Sequence, residues 1–135
     1  MVLSRGDYHW KHEPCWYAVR KGCPAKFTKD RTQTTVWDLG SPIQIFSHSQ
    51  EEEKTLHPTQ KPIECMRRPI QNHGAAGDCV YDPFLGSGTA MIAAEQLSRA
   101  CHAIEIDPPY CQMAIDRWEA FTGQRAVKVG DAPRH

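Results

Sequence analysis

Asp82-Pro83-Phe84-Leu85-Gly86-Ser87-Gly88-Thr89 decides the reading of this 135-residue chain. The run Cys79-Val80-Tyr81 enters it as a short buried strand. Gly86 and Gly88 let the backbone approach a ligand closely, and Thr89 to Leu97 follows as a helix with its amide end at the turn. A second strand is expected at Ala103-Ile104-Glu105-Ile106, which places Glu105 about 20 residues beyond the turn, where a ribose-binding carboxylate belongs in doubly wound folds. This is the local plan of a nucleotide-type cofactor site, although glycine turns of this kind also occur for packing alone. The dinucleotide pattern asks for a third glycine three residues after the second, and here that position is Met91. A nicotinamide or flavin site is therefore disfavoured.

Upstream lies His57-Pro58-Thr59-Gln60-Lys61-Pro62, followed by a helical run from Ile63 to His73. Pro62 stands at the start of that helix, Ile63, Met66 and Ile70 form its apolar stripe, and Gly74 ends it. These two motifs in this order resemble the DNA amino-methyltransferases that modify adenine N6 or cytosine N4. The order is similar to their beta subgroup, in which the cofactor motifs follow the catalytic ones. Asp7 to Val19 and the run from Ile104 through Tyr110 to Trp118 extend the resemblance over about Asp7 to Gly123.

The resemblance implies an α/β fold, a partial Rossmann-like arrangement of parallel strands, and S-adenosylmethionine as cofactor. It places Phe84, Gly86, Gly88 and Thr89 at the turn under the methionyl part, Asp82 near the ammonium group, and Glu105 on the two ribose hydroxyls. Thr59 would offer a hydroxyl to the methionine carboxylate. Lys61 either adds charge there or lies on an exposed helix flank. Asp107 and Tyr110 either border the adenine or simply start a helix that runs to about Phe121 and buries Met113, Ala114, Trp118 and Phe121.

Asp107-Pro108-Pro109-Tyr110 also has the spelling of the family's catalytic motif, in which an acidic side chain and a prolyl carbonyl accept from the target amino group while the aromatic ring stacks on the flipped base. Its position argues against that role. Only one crossover separates Phe84 from Glu105, whereas a catalytic motif placed after the cofactor motif needs several further crossovers. No residue is therefore assigned a catalytic role, Asp107 and Tyr110 being the candidates if the motif is catalytic. The chain reads as the C-terminal, cofactor-binding part of a methyltransferase.

Charge and composition fit that reading. Lysine plus arginine equals aspartate plus glutamate at 16 each, so no global field draws the chain to nucleic acid. Up to Arg31, however, seven basic side chains face three acidic ones. Lys11, Lys21, Lys26, Lys29 and Arg31 are the candidate DNA contacts, with a solvated hairpin as the plainer alternative. Pro14 to Arg20 and Thr34 to Leu39 read as an antiparallel pair joined by the lysine-bearing loop. The six cysteines have no paired zinc-ligand spacing, and reduced, buried thiols in a cytoplasmic protein are expected. No metal and no membrane span are expected.

The expected organisation is one incomplete domain over 1–135: a basic hairpin region at 1–40, a flexible loop at 41–56, cofactor-binding βα units at 57–123 and a tail at 124–135, with a short strand at Arg125 to Val129. A partial parallel sheet leaves an open edge, so partnership with a copy of itself or with a complementary chain carrying the catalytic motif is expected, beside DNA. Three functions compete: a methyltransferase part needing that second segment, a non-catalytic module binding S-adenosylmethionine or DNA, and a minimal complete enzyme using Asp107 to Tyr110.

Overall fold

The computed structural model describes residues 7, 12–23, 26–39 and 61–130. Its regular elements run in the order α1 (Ile63–Asn72), β1 (Cys79–Asp82), α2 (Thr89–Gln96), β2 (Ala100–Ala103) and α3 (Pro108–Thr122). β1 and β2 pair in parallel with Cys79 opposite Ala100 and Asp82 opposite Ala103. Parallel neighbours need a crossover, and α2 supplies it. The expected parallel βαβ unit is thus present.

α2 is the best-buried element. Ala90, Ile92, Ala93 and Ala94 have at most 4% of their surface exposed, and Ala114 of α3 packs beside them at 1%. Four alanines and one isoleucine let α1 and α3 approach α2 closely, at the cost of a core with no large side chain fully buried among the described residues. Only Ala114 of the expected apolar face of α3 is buried. Met113 and Trp118 are half-buried and Phe121 is exposed.

β2 starts and ends three residues earlier than the sequence suggests. The strand ends where its partner does, because β1 runs into Pro83, which has no N–H to donate. Ile104 keeps contact with the turn all the same: its N–H donates to the Asp82 carbonyl (2.9 Å) and its carbonyl accepts from Leu85 N–H (3.0 Å). Pro62 flanks α1 instead of opening it, with ψ at 139°. Its carbonyl accepts from Cys65 N–H.

The antiparallel hairpin does not form. Residues 14–20 and 34–39 contain no strand, nor does Arg125 to Val129. Of that hairpin only its turn is present, where Cys23 N–H donates to the Arg20 carbonyl. β-propensity alone cannot hold two isolated strands in water. The chain instead finds partners on the C-terminal end of α1. Thr28 N–H donates to the Asn72 carbonyl, Gln33 and Asn72 exchange side-chain amide hydrogen bonds, and Tyr17 and Phe27 pack on the His73 ring. Arg68 lies over the Trp37 ring at 5.2 Å.

The cysteines are not buried, contrary to expectation: Cys15, Cys23 and Cys79 are exposed and the other three half-buried. The sheet is too small to cover them. Burial still raises the Cys65 and Cys101 thiols above the usual range, helped at Cys101 by the negative charge of Asp82. Both thiols stay protonated and unreactive near neutral pH. No cluster of potential metal ligands occurs among the described residues, and none of their helices is long and apolar enough to cross a membrane. The 41–56 loop, Lys11 and Thr59 lie outside the described residues.

Candidate functional site

The glycine turn sits at the carboxyl end of β1, and two chain segments shape it. On its own strand, the Asp82 carboxylate accepts the Phe84 N–H at 2.9 Å, an Asx-type closure that bends the chain immediately after the strand. Gly86 (φ 56°) and Gly88 (φ 85°) then take left-handed conformations that side chains oppose, and Gly88 caps α2. Phe84 is left 86% exposed at the mouth of the turn.

Glu105, just past β2, reaches across to this turn. Its Oε2 accepts the Gly86 N–H at 2.7 Å, and its Oε1 accepts the N–H groups of Ile106 and Asp107, each at 2.9 Å. The carboxylate is therefore held in one place by three backbone donors, two from its own segment and one from the turn. An ionised carboxylate has about four acceptor positions, so the three backbone donors leave about one for a ligand hydroxyl, and a second hydroxyl would have to take the place of a backbone donor. Asp82, Phe84, Gly86, Gly88, Glu105 and Asp107 thus gather at one end of the sheet. Thr89 belongs to the turn as well, but its buried hydroxyl meets Arg117 of α3 at 3.3 Å, on the side facing the helix.

Asp107-Pro108-Pro109-Tyr110 forms the start of α3. Asp107 is the flanking residue, and the two prolines occupy the first helical positions, where a missing N–H costs nothing. The Asp107 carbonyl accepts from Cys111 N–H at 3.0 Å. The prolyl pair therefore has a sufficient local reason to exist.

Lys61 pairs with Glu13: its Nζ lies 2.6 Å from both carboxylate oxygens. This pair joins the segment after the Thr59 motif to the N-terminal region, and neither partner's spacing announces it. Of the basic candidates, Lys21, Lys29 and Arg31 are exposed. Lys26 pairs with Asp78 at 3.2 Å. Arg117 is the residue that the sequence reading overlooks. It is 8% exposed and donates to the Ser87 carbonyl (3.2 Å) and to Thr89 Oγ1, behind the glycine turn. Its one signal is an arginine spaced three residues from Ala114 and four from Phe121 on an otherwise apolar face.

The chain is similar to known proteins. The family model described as DNA methylase, N6_N4_Mtase, matches residues 6–116. The Type II methyltransferase M.HpaI of Haemophilus parainfluenzae is 38% identical over 81 residues, 58% of this chain and 26% of that protein. The DNA adenine methyltransferase YhdJ of Escherichia coli strain K12 is 33% identical over 113 residues, 82% of this chain and 37% of that protein. The crystal structure of the M1.HpyAVI-SAM complex aligns with a TM-score of 0.57 at 33% identity, covering 73% of this chain and 45% of that one. The chain spans less than half the length of each of these relatives, and the fold it shares with them is a partial α/β, Rossmann-like one. With the family model covering most of its length and the glycine turn and Glu105 in one site, this chain belongs to the N6/N4 DNA methylase family.

Proposed function

We propose that this chain is the cofactor-binding, C-terminal part of a beta-subgroup DNA amino-methyltransferase, acting on adenine N6 or cytosine N4 when a second segment supplies the catalytic motif. The observation that carries this reading is the 2.7 Å hydrogen bond from Gly86 N–H to Glu105, which sets a ribose-type carboxylate against a glycine turn. The residues present fit S-adenosylmethionine: a turn open to backbone approach at Gly86, an exposed aromatic at Phe84, and carboxylates at Asp82 and Glu105 for an ammonium group and a ribose hydroxyl.

The bound cofactor would supply a sulfonium methyl for transfer to an exocyclic amino nitrogen. This chain's own share is positioning. Glu105 orients the ribose, the glycine turn lets the methionyl end lie close against its backbone, and Phe84 lends an apolar wall that keeps water from one side. Asp107 to Tyr110 serve the adenine side. Their position in the first turn of α3 supports this, because carbonyls there run along the helix toward later N–H groups and are ill placed to accept from a base. Lys21, Lys29 and Arg31 contribute a basic surface for DNA phosphates.

The exposed apolar residues around the sheet support a covering partner, either a complementary chain or a second copy. Tyr81, Ile104 and Ile106 are 64%, 56% and 95% exposed. Mixing the purified chain with a polypeptide bearing a family catalytic motif, labelled S-adenosylmethionine and mixed-sequence DNA tests the reading. Transfer by the mixture, with none by either component alone, is expected. Transfer by this chain alone would instead favour the minimal enzyme using Asp107 and Tyr110.

A further inference from the structure

α3 backs the glycine turn at two points one helical turn apart. At the first, Ala114 is so close that a methyl group on Gly88 would stand 3.1 Å from its Cβ. At the second, Arg117 donates to the Ser87 carbonyl at 3.2 Å and to Thr89 Oγ1 at 3.3 Å. Ser87, Thr89 and Arg117 are all buried, at 4%, 6% and 8% exposure. Moving a guanidinium out of water is costly unless its hydrogen bonds are well placed, so these contacts are held in a narrow geometry.

We propose that Arg117 is a positioning residue for the cofactor turn, fixing the Ser87–Gly88 peptide and the first residue of α2 so that the turn keeps the shape against which the ligand packs. The peptide is planar, so anchoring the Ser87 carbonyl toward α3 also directs the Gly88 N–H, which donates to the Leu85 carbonyl at 3.1 Å. The same helix begins at Asp107, whose N–H donates to Glu105 Oε1. α3 therefore sets the spacing between the turn and the ribose-type carboxylate from both ends. This role rests on the cofactor reading above, and Arg117 touches no ligand itself.

Binding of labelled S-adenosylmethionine to the full chain by equilibrium dialysis, together with thermal melting, tests it on R117M, R117K, T89V, the double variant R117M/T89V and W118F. W118F removes a comparable bond between α3 and α2, Trp118 Nε1–H to Glu95 Oε2 at 3.0 Å, away from the turn. R117M weakens binding by about tenfold at temperatures where it is fully folded, in keeping with the loss of charge-assisted hydrogen bonds. R117K, which keeps the charge but cannot span both acceptors, weakens it in the same direction and carries the test if R117M fails to fold. T89V weakens binding in the parent chain but adds little to R117M, as for residues acting through one contact. W118F lowers the melting temperature with affinity unchanged. Parent-like affinity in R117M and R117K would overturn the role, as would an equal affinity loss in W118F. A parent chain that retains no cofactor would instead overturn the cofactor reading and this role with it.

Discussion

At the scale of single residues, Gly88 within the glycine turn and Glu105 reaching it from beyond β2 fix the site. Gly88 combines a φ of +85° with a 3.1 Å approach to Ala114, so Gly88→Ala meets both backbone strain and a tight contact with α3. Urea unfolding of G88A is expected to show a loss of about 1–3 kcal/mol, and parent-like stability would contradict the described packing. Glu105→Gln keeps the shape but removes the charge and one acceptor. A fall of about tenfold in S-adenosylmethionine affinity is expected by dialysis, larger than any fractional change in folded population. These two residues were legible in the sequence because few side chains satisfy their demands: glycine where φ is positive, and a carboxylate that far beyond such a turn. Arg117 was not, since the direction of a long side chain on a helix is decided by how that helix packs. Lys61 escaped for a similar reason, its partner Glu13 lying 48 positions away.

At the scale of elements, the helices are more legible in the sequence than the strands. α1, α2 and α3 follow the expected runs to within a residue or two, because their caps and apolar spacing are local. β2 slipped by three residues, because Ala100, Cys101 and His102 carry no strand signature and gain their state by pairing with β1. The absent hairpin has the same cause in reverse: Trp16, Tyr17 and Val36 have strand propensity but no neighbouring strand to pair with. α1 also carries a pH dependence. Burial works against the Glu64 carboxylate, but Arg67 at 2.6 Å and Arg68 at 3.4 Å outweigh it and hold its pKa below the ordinary 4.5. Asp78, which accepts the Ala75 N–H and pairs with Lys26, is held below its ordinary 3.8. Both groups release their protons more readily folded than unfolded. Their contribution to stability is complete above about pH 4.5 and is lost as pH falls through the lowered folded values. Melting temperature should therefore drop between pH 5 and the acid limit, and Glu64→Gln should make that drop smaller. An unchanged profile in E64Q would remove the α1 ion pairs from the explanation.

For the molecule as a whole, the balance is between a small core built on α2 and a broad apolar surface. Trp16, Ile106 and Phe84 are 95%, 95% and 86% exposed, which is more than isolated surface residues require. Concentration-dependent association is expected in sedimentation velocity, and a well-folded monodisperse monomer at every concentration would count against a covering partner. The family and the cofactor turn were legible at this scale because two motifs in one order are specific. The partner was not, since what covers an apolar face is decided by another surface. The most direct measurement is incubation of the purified chain with S-adenosylmethionine carrying a labelled methyl group and mixed-sequence DNA, followed by separation of protein from DNA. Label retained on the protein and absent from the DNA is the expected result. Label in the DNA would contradict the account by making Asp107 to Tyr110 catalytic, and label on neither would remove the cofactor site on which the account stands.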